Sequence, residues 1–370
     1  MILKSVSIVN FKNHKSLKVN FSDHVNCFLG NNGVGKTNLL DSIYYLSFCK
    51  SYYNSIEFDN INYGQDFFMI KGDFIDKNQV DFMINGSLVN NKKSFKFNNK
   101  KYDKLSNHIG KVPLVITTPI DANIIVGGGE ERRRFVNKFL SQIDKDYLLN
   151  LISYNRVLKQ RNTLLKDSNN FNLNEDLMNA YDVKLSNFAK IIHQKRQDFI
   201  SLILNNVQSY YDFISQKNES IDILYHSELN NYTLFDLLKK NREKDRFLKH
   251  TSSGVHRDDF VFKINEYSLK KSGSQGQQKT FLIALKFGYF DLLKSNLKIT
   301  PLLLLDDIFD KLDNNRVEQI IRIINKNEFG QIFITDTSFN RIDSIMDKVN
   351  SVCKYFIFDK TGLYEEKFKK

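Results

Sequence analysis

The chain has no tryptophan, three prolines and three cysteines in 370 residues. Cys27, Cys49 and Cys353 are odd in number and far apart, so they offer no basis for a disulfide framework or a zinc site. No window approaches the roughly 18 apolar residues of a membrane span. The opening Met1-Ile2-Leu3-Lys4-Ser5 runs directly into a strand-like pattern and lacks a signal-peptide layout, so a cytoplasmic protein is expected.

The most informative scarcity is local. Residues 130–253 contain no glycine and no proline, in a chain that has 16 and 3. Helical spacing recurs there through Phe135, Phe139, Ile143, Tyr147, Leu151 and Tyr154, and again through Leu177, Tyr181, Leu185, Phe188 and Ile192. Two long helices separated by a polar turn near Ser168 to Asn174 are expected, with a short strand over Ile221 to Tyr225. The stretch is too short for a long coiled-coil arm, so it reads as a compact helical insertion.

On either side the pattern is mixed. Leu3 to Val9, Leu17 to Phe21 and Val25 to Leu29 read as strands, and residues 66–97 continue the alternation, punctuated by Gly64, Gly72 and Gly86. Asn38 to Ser47 reads as a helix. Between Leu29 and that helix lies Gly30-Asn31-Asn32-Gly33-Val34-Gly35-Lys36-Thr37, a complete GxxxxGK[ST] loop. Backbone N–H groups at such a loop and helix start cradle phosphate oxygens. Lys36 reaches the outer phosphates, and the Thr37 hydroxyl can ligate Mg²⁺. ATP and Mg²⁺ are the expected ligands.

Pro301 to Asp307 supplies the acidic partner such a loop needs. Four leucines make a strand buried on both faces. Asp306 at its end is placed to hold Mg²⁺, and Asp307 to orient or deprotonate an attacking water. A strand over Ile332 to Thr335 follows a helix from Arg316 to Asn325, and a hairpin of Tyr355 to Asp359 with Leu363 to Phe368 closes the chain. A polar run, Lys271 to Lys279, precedes a strongly helical stretch reaching Leu293. It is either a helix cap or a second anion site.

Net charge is +12, which favours a polyanionic partner, although Lys- and Asn-rich composition alone produces the same sign. The charge is diffuse: residues 130–250 hold 20 Lys+Arg against 16 Asp+Glu. The densest patch is Asn91 to Lys104, with six lysines and one aspartate interleaved with Phe95, Phe97 and Tyr102. Lys92, Lys93, Lys96, Lys100 and Lys101 are therefore candidates for nucleic-acid contact; the alternative is a solvated hairpin. Arg132, Arg133 and Arg134 form a second candidate set, or pair with Glu130 and Glu131.

These parts in this order resemble the RecF family of bacterial recombination mediators from end to end. The resemblance rests on Asn10-Phe11-Lys12-Asn13, Gly30 to Leu40, Gly128 to Phe135, Tyr154-Asn155 with Gln160-Arg161-Asn162, Gly254-Val255-His256-Arg257-Asp258-Asp259, residues 273–279, and Leu304 to Asp313. It departs at Lys12, where members usually carry arginine, at Pro119-Ile120-Asp121, and in the run of three glycines at 127–129. It also lacks a switch histidine, where Thr335 stands ready to sense the γ-phosphate.

The resemblance implies an α/β fold: an ABC-type, SMC-like P-loop ATPase head assembled from residues 1–112 and 251–370, with an inserted compact helical domain at 113–250. It adds Lys12 and Asn38 to the ATP-binding set. It makes Ser274, Gln275, Gly276 and Gln277 a signature motif acting in trans, and Asp313 part of a D-loop. It further implies an ATP-dependent homodimer that clamps duplex or gapped DNA, weak DNA-dependent ATPase activity, recombinase loading with RecR and RecO, and a nucleoid-associated location. A transporter subunit would instead show a switch histidine and a Q-loop. An SMC protein would show long heptad arms, and the zinc hook of longer repair ATPases needs a CxxC that is absent. An ATPase–nuclease would show an acidic metal cluster after Asp306.

Overall fold

The structure is a computed structural model describing residues 1–167, 174–309, 312–324, 329–349, 353–359 and 362–369. The chain divides into two compact units, residues 1–121 with 213–215 and 289–370, and residues 122–212 with 216–288.

The first unit holds two sheets. β1 (Ile2–Phe11), β2 (His14–Asn20), β4 (Phe67–Ile75), β5 (Asp81–Val89), β6 (Lys92–Phe97) and β7 (Lys100–Lys101) form an antiparallel sheet in the order β2-β1-β4-β5-β6-β7. Its strands largely alternate inward and outward, as one-face burial demands: Ile8, Ile70, Ile84 and Phe95 are buried between exposed or half-buried neighbours. β3 (Val25–Leu29), β8 (Leu114–Thr117), β12 (Leu302–Asp306), β13 (Ile332–Asp336), β14 (Cys353–Asp359) and β15 (Gly362–Lys369) form the second sheet in the order β15-β14-β3-β13-β12-β8. Apart from the β14–β15 hairpin its pairings are parallel, and β3 and β12 are buried along their whole length because both faces are covered. Between the sheets runs α1 (Lys36–Phe48), in which 11 of 13 residues are buried. Leu39, Leu40, Ile43, Tyr44, Tyr45 and Leu46 join one core with Ile8, Ile70, Leu302, Leu304 and Phe333. β8 belongs to this sheet, paired to β12, although the boundary expected at 113 assigns it to the insertion. α10 (Asn314–Ile324) and α11 (Phe339–Val349) complete the unit.

The second unit contains α2 (Ala122–Val126), α3 (Gly129–Ile143), α4 (Lys145–Asp167), most of α5 (Glu175–Ser215), α6 (Leu234–Lys240), α7 (Arg242–Leu248) and α8 (Leu269–Ser272). It also contains an antiparallel sheet of β9 (Ile221–His226), β10 (Asp259–Ile264) and β11 (Tyr267–Ser268). The last helix, α9 (Gln275–Leu297), begins in this unit, and the division falls within it at Gly288.

The helical stretch is more divided than its spacing predicts. What reads as one helix from Phe135 to Tyr154 is α3 and α4, broken at Asp144. The Asp144 carboxylate accepts the Tyr147 N–H at 2.9 Å, so the residue ends one helix and caps the next. The expected turn at Ser168 to Asn174 falls, except for Asn174, outside the described residues. Asn174 caps α5 through its side-chain bond from the Leu177 N–H at 2.9 Å.

Candidate active site

β3 delivers the phosphate loop, and the loop's shape depends on two glycines. Gly30 (φ 145°) and Gly35 (φ 110°) lie in a region that side chains rarely adopt. A Cβ on Gly30 would stand 2.3 Å from the Phe358 carbonyl oxygen, and one on Gly35 would stand 2.6 Å from the His14 ring. The segment ahead of the loop braces it. His14 Nε2 donates to the Gly35 carbonyl at 3.0 Å, and Asn13 Oδ1 accepts from Asn38 Nδ2 at 2.7 Å. Burial holds the His14 ring below its ordinary pKa, so the ring stays neutral.

Lys36 folds back into the curl of the loop. Its ammonium donates to the carbonyls of Gly30 at 2.5 Å and Asn31 at 2.8 Å. Burial lowers its pKa, while Asp307, Asp306 and Asp336 oppose that fall. Beside it, Asp306 collects hydroxyls. Thr37 Oγ1 donates at 3.0 Å, Thr335 Oγ1 at 2.6 Å and the Tyr53 phenol at 2.5 Å. Strand order explains the meeting: β13 lies between β3 and β12, and Thr335 sits level with Asp306 in the register. Asp307 follows with φ 49°, turning the chain out of the sheet, and its N–H is held by Thr335 Oγ1 at 3.0 Å. The strand ends thus wall a pocket of about 190 Å³ lined by Asn32, Gly33, Gly35, Lys36, Thr37, Asn38, Asp306, Asp307, Thr335 and Thr337.

The donor set fits a magnesium–nucleotide triphosphate. An ammonium and a glycine-shaped backbone curl suit phosphate oxygens, and a hydroxyl beside a carboxylate is the hard-oxygen pair that Mg²⁺ takes. Gly30, Asn31 and Val34 shape the loop but do not line this pocket. Lys12, expected among the ATP contacts, is half-buried, pairs with Asp41 at 2.6 Å and lies over the Tyr53 ring at 5.1 Å. Asp41 also accepts from Ser51 Oγ and the Tyr52 N–H, so Lys12 helps fix the loop that carries Tyr53. Tyr53, Asp41 and His14 were not legible as site residues. Tyr53 lies 253 positions from Asp306, and no spacing rule spans that distance.

Ser274 caps α9 in a reciprocal box. Its N–H donates to Gln277 Oε1 at 2.8 Å, and its Oγ accepts the Gln277 N–H at 3.2 Å. Ser274 and Gln275 are exposed, Gly276 and Gln277 half-buried, and Gln277 also bonds Glu219 at 2.9 Å. Asp313 accepts the Arg316 N–H at the start of α10. Asp310 and Lys311, the first half of the expected D-loop, lie outside the described residues.

The arginine run divides. Arg132 is buried and grips Asp259 through two bonds, at 2.7 and 2.9 Å, and also donates to backbone carbonyls at 124, 125 and 127. Arg133 donates to the Asp258 carbonyl at 2.5 Å. Arg134 pairs at the surface with Glu130 and Glu131. The donors of Arg132 are therefore spent on Asp259 and on these carbonyls within the protein. Among the candidate lysines, Lys93 is paired with Glu57, whereas Lys92, Lys96, Lys100 and Lys101 are exposed. The interleaved aromatics are engaged within the protein, Phe97 and Tyr102 while half-buried. Phe95 is fully buried, Phe97 stacks on Phe82 at 5.3 Å, and Tyr102 meets His108 edge-on at 5.3 Å.

A phosphate loop and an acidic strand end, one strand apart in a parallel sheet and joined to an antiparallel sheet through a buried helix, define an ABC-type, SMC-like P-loop ATPase head. Comparison with known proteins sharpens this. The chain belongs to the family described as the RecF/RecN/SMC N-terminal domain, matched over residues 2–356, and within it to the RecF proteins. It is 44% identical over 369 residues to the DNA replication and repair protein RecF of Phocaeicola vulgatus, covering 99% of each chain. It is 45% identical over 366 residues to the protein of that name from Bacteroides thetaiotaomicron, covering 99% of each. A solved structure of the recombination mediator protein RecF with ATP, in the RecFOR pathway, superposes with TM-score 0.87 at 30% identity, over 100% of this chain and 98% of that one. The Smc head domain of Pyrococcus furiosus shares the fold, with TM-score 0.57 at 14% identity, over 100% of this chain and 96% of that one.

Proposed function

We propose that this protein is an ATP-dependent DNA-binding protein of replication and recombinational repair, in which ATP binding joins two copies around duplex or gapped DNA. The observation that carries the reading is the convergence of Lys36, Thr37, Asp306, Asp307 and Thr335 on one pocket, in a chain whose curated relatives are DNA replication and repair proteins.

In this reading Gly33, Gly35 and Lys36 bind the phosphates, with the Lys36 ammonium exchanging loop carbonyls for phosphate oxygens. Thr37 and Asp306 hold Mg²⁺, which neutralises charge on the outer phosphates. Asp307 accepts the proton of the attacking water, and Thr335 holds the Asp307 backbone in place. Ser274, Gln275, Gly276 and Gln277 of one copy close over the nucleotide of the other, where an exposed helix N-terminus favours the γ-phosphate. Hydrolysis removes that contact and releases the pair, a population shift driven by one phosphate. Turnover is slow and stimulated by DNA. RecR and RecO are the expected partners in loading recombinase at single-strand gaps, in the cytoplasm and at the nucleoid.

The test is dimer mass and DNA binding on gapped, duplex and single-stranded DNA, with ATP or ADP. ATP-dependent dimers that bind DNA, lost in Lys36→Met, are expected. ATP binding without DNA affinity at low salt would overturn the reading.

A further inference from the structure

The register of the antiparallel sheet of the first unit brings together lysines that are far apart in sequence. Lys18 pairs with Ser7, Ser7 with Lys71, Lys71 with Asn85, Asn85 with Lys96, and Lys96 with Lys101. Directly paired residues point to the same face. Val6, Ile8, Ile70, Ile84 and Phe95, their neighbours along the strands, are buried in the core, so this row lies on the opposite, outer face. It crosses all six strands and carries four lysines and no carboxylate. Asp73 in the next row pairs with Lys71 at 3.1 Å. Lys18, Lys96 and Lys101 are exposed, with no carboxylate within ion-pair distance among the described residues. The row on the other side, Ser16, Val9, Met69, Ser87 and Ser94, is uncharged.

Folding gains nothing from this arrangement. Like charges set directly opposite, as Lys96 and Lys101 are, destabilise a strand pair. A polyanion laid along the row converts that cost into binding. Strands about 4.8 Å apart give the five steps from Lys18 to Lys101 a span of roughly 24 Å, a length of duplex axis that carries about 14 phosphate charges. The twist of about 20° per strand turns the outward direction around the row, so its two ends reach opposite flanks of a rod lying along it. The face offers no aromatic platform, since Phe95 and Phe97 turn inward, and single strands are held largely by stacking on such platforms.

We infer that the lysine row Lys18–Lys71–Lys96–Lys101 is a docking surface for the phosphate backbone of duplex nucleic acid. The inference rests on the DNA-binding reading above and gives it a location.

The experiment uses the full chain with ATP and a fluorescent duplex, titrated at several salt concentrations. It compares wild type with Lys18→Gln/Lys96→Gln/Lys101→Gln and with a control triple, Lys240→Gln/Lys244→Gln/Lys249→Gln, made at exposed positions of the second unit. Both triples lower the formal net charge from +12 to +9. The row variant is expected to keep nucleotide binding and to lose duplex affinity, its slope of log K against log salt becoming shallower by about 2.7, or 0.9 per phosphate contact. The control is expected to match wild type. Equal effects from both triples, or an unchanged slope in the row variant, would overturn the row while leaving DNA binding itself standing. Loss confined to a single-stranded probe would overturn the duplex assignment. A wild-type protein that binds no DNA would remove the reading beneath it.

Discussion

Two clusters of charge in this molecule are built on opposite plans. In the first unit, Asp306 is surrounded by neutral hydroxyls from Thr37, Thr335 and Tyr53 and faces a pocket beside Lys36. In the second unit, arginine and aspartate neutralise each other out of reach of water. Arg161, fully buried, bonds Asp182 and Asp245 at 2.7 Å each and Thr251 at 2.9 Å. Arg196 bonds Asp258 at 3.0 Å, the Val255 carbonyl at 2.7 Å and Asn137 at 3.0 Å, while Tyr225 also donates to Asp258. His256 meets this network at the Thr251 carbonyl, 3.1 Å from its Nε2, and bonds Tyr154 at 2.7 Å. The difference is where their capacity goes: the second cluster's charges are bonded to one another, while Asp306 and Lys36 are bonded to neutral hydroxyls and carbonyls and line a pocket.

The largest break in that comparison comes from removing one half of a buried pair. Arg161→Met strips the buried Asp245 of its arginine and leaves Asp182 only Arg242, 2.5 Å away, which should cost about 3–5 kcal/mol. Lys36→Met should change stability by no more than about 1 kcal/mol while abolishing nucleotide binding, because burial already disfavours its charge. Denaturant melts of the two variants separate the cases. Equal losses would mean that Lys36 is structural as well.

Acid comes next. Burial holds His108 in the first unit and His256 in the second at about 4, below the ordinary 6.5. The folded protein therefore binds fewer protons than the unfolded chain between those values. Stability is whole above pH 6.5 and drains as pH falls towards 4, by on the order of 2 kcal/mol per imidazole at pH 5. Melting temperature followed from pH 7.5 to 5 should fall steadily. A flat profile would show that neither ring is held neutral.

Smaller effects sharpen the functional side. Tyr53→Phe removes one of three hydroxyls from Asp306. Nucleotide affinity in Mg²⁺ should weaken about tenfold, roughly 1.4 kcal/mol, with magnesium-free affinity unchanged. A magnesium titration checks this, and an equal loss in both conditions would make Tyr53 a packing residue only. Ser274→Ala should cost about 1 kcal/mol as a lost helix cap. In addition it should weaken ATP-dependent dimerisation, measured by sedimentation, without changing nucleotide affinity in the monomer. Loss of the cap energy alone would leave Ser274 a capping residue.

Local signals in the sequence were enough for the phosphate loop, the acidic strand end and the mainly helical character of the described residues between 130 and 215. Each depends on residues within a few positions of one another: glycines where φ is positive, four leucines where both faces are covered, and apolar residues at helical spacing. Three things required the tertiary structure. Thr335 meets Asp306 because β13 inserts between β3 and β12. Tyr53 meets Asp306 across 253 residues. Lys12 pairs with Asp41 at 2.6 Å, 29 positions along the chain. The division of the arginine run and the alignment of Lys18, Lys71, Lys96 and Lys101 belong to the same class. Burial and strand register are decided by which elements pair, and pairing is a property of the whole chain that no window of sequence contains.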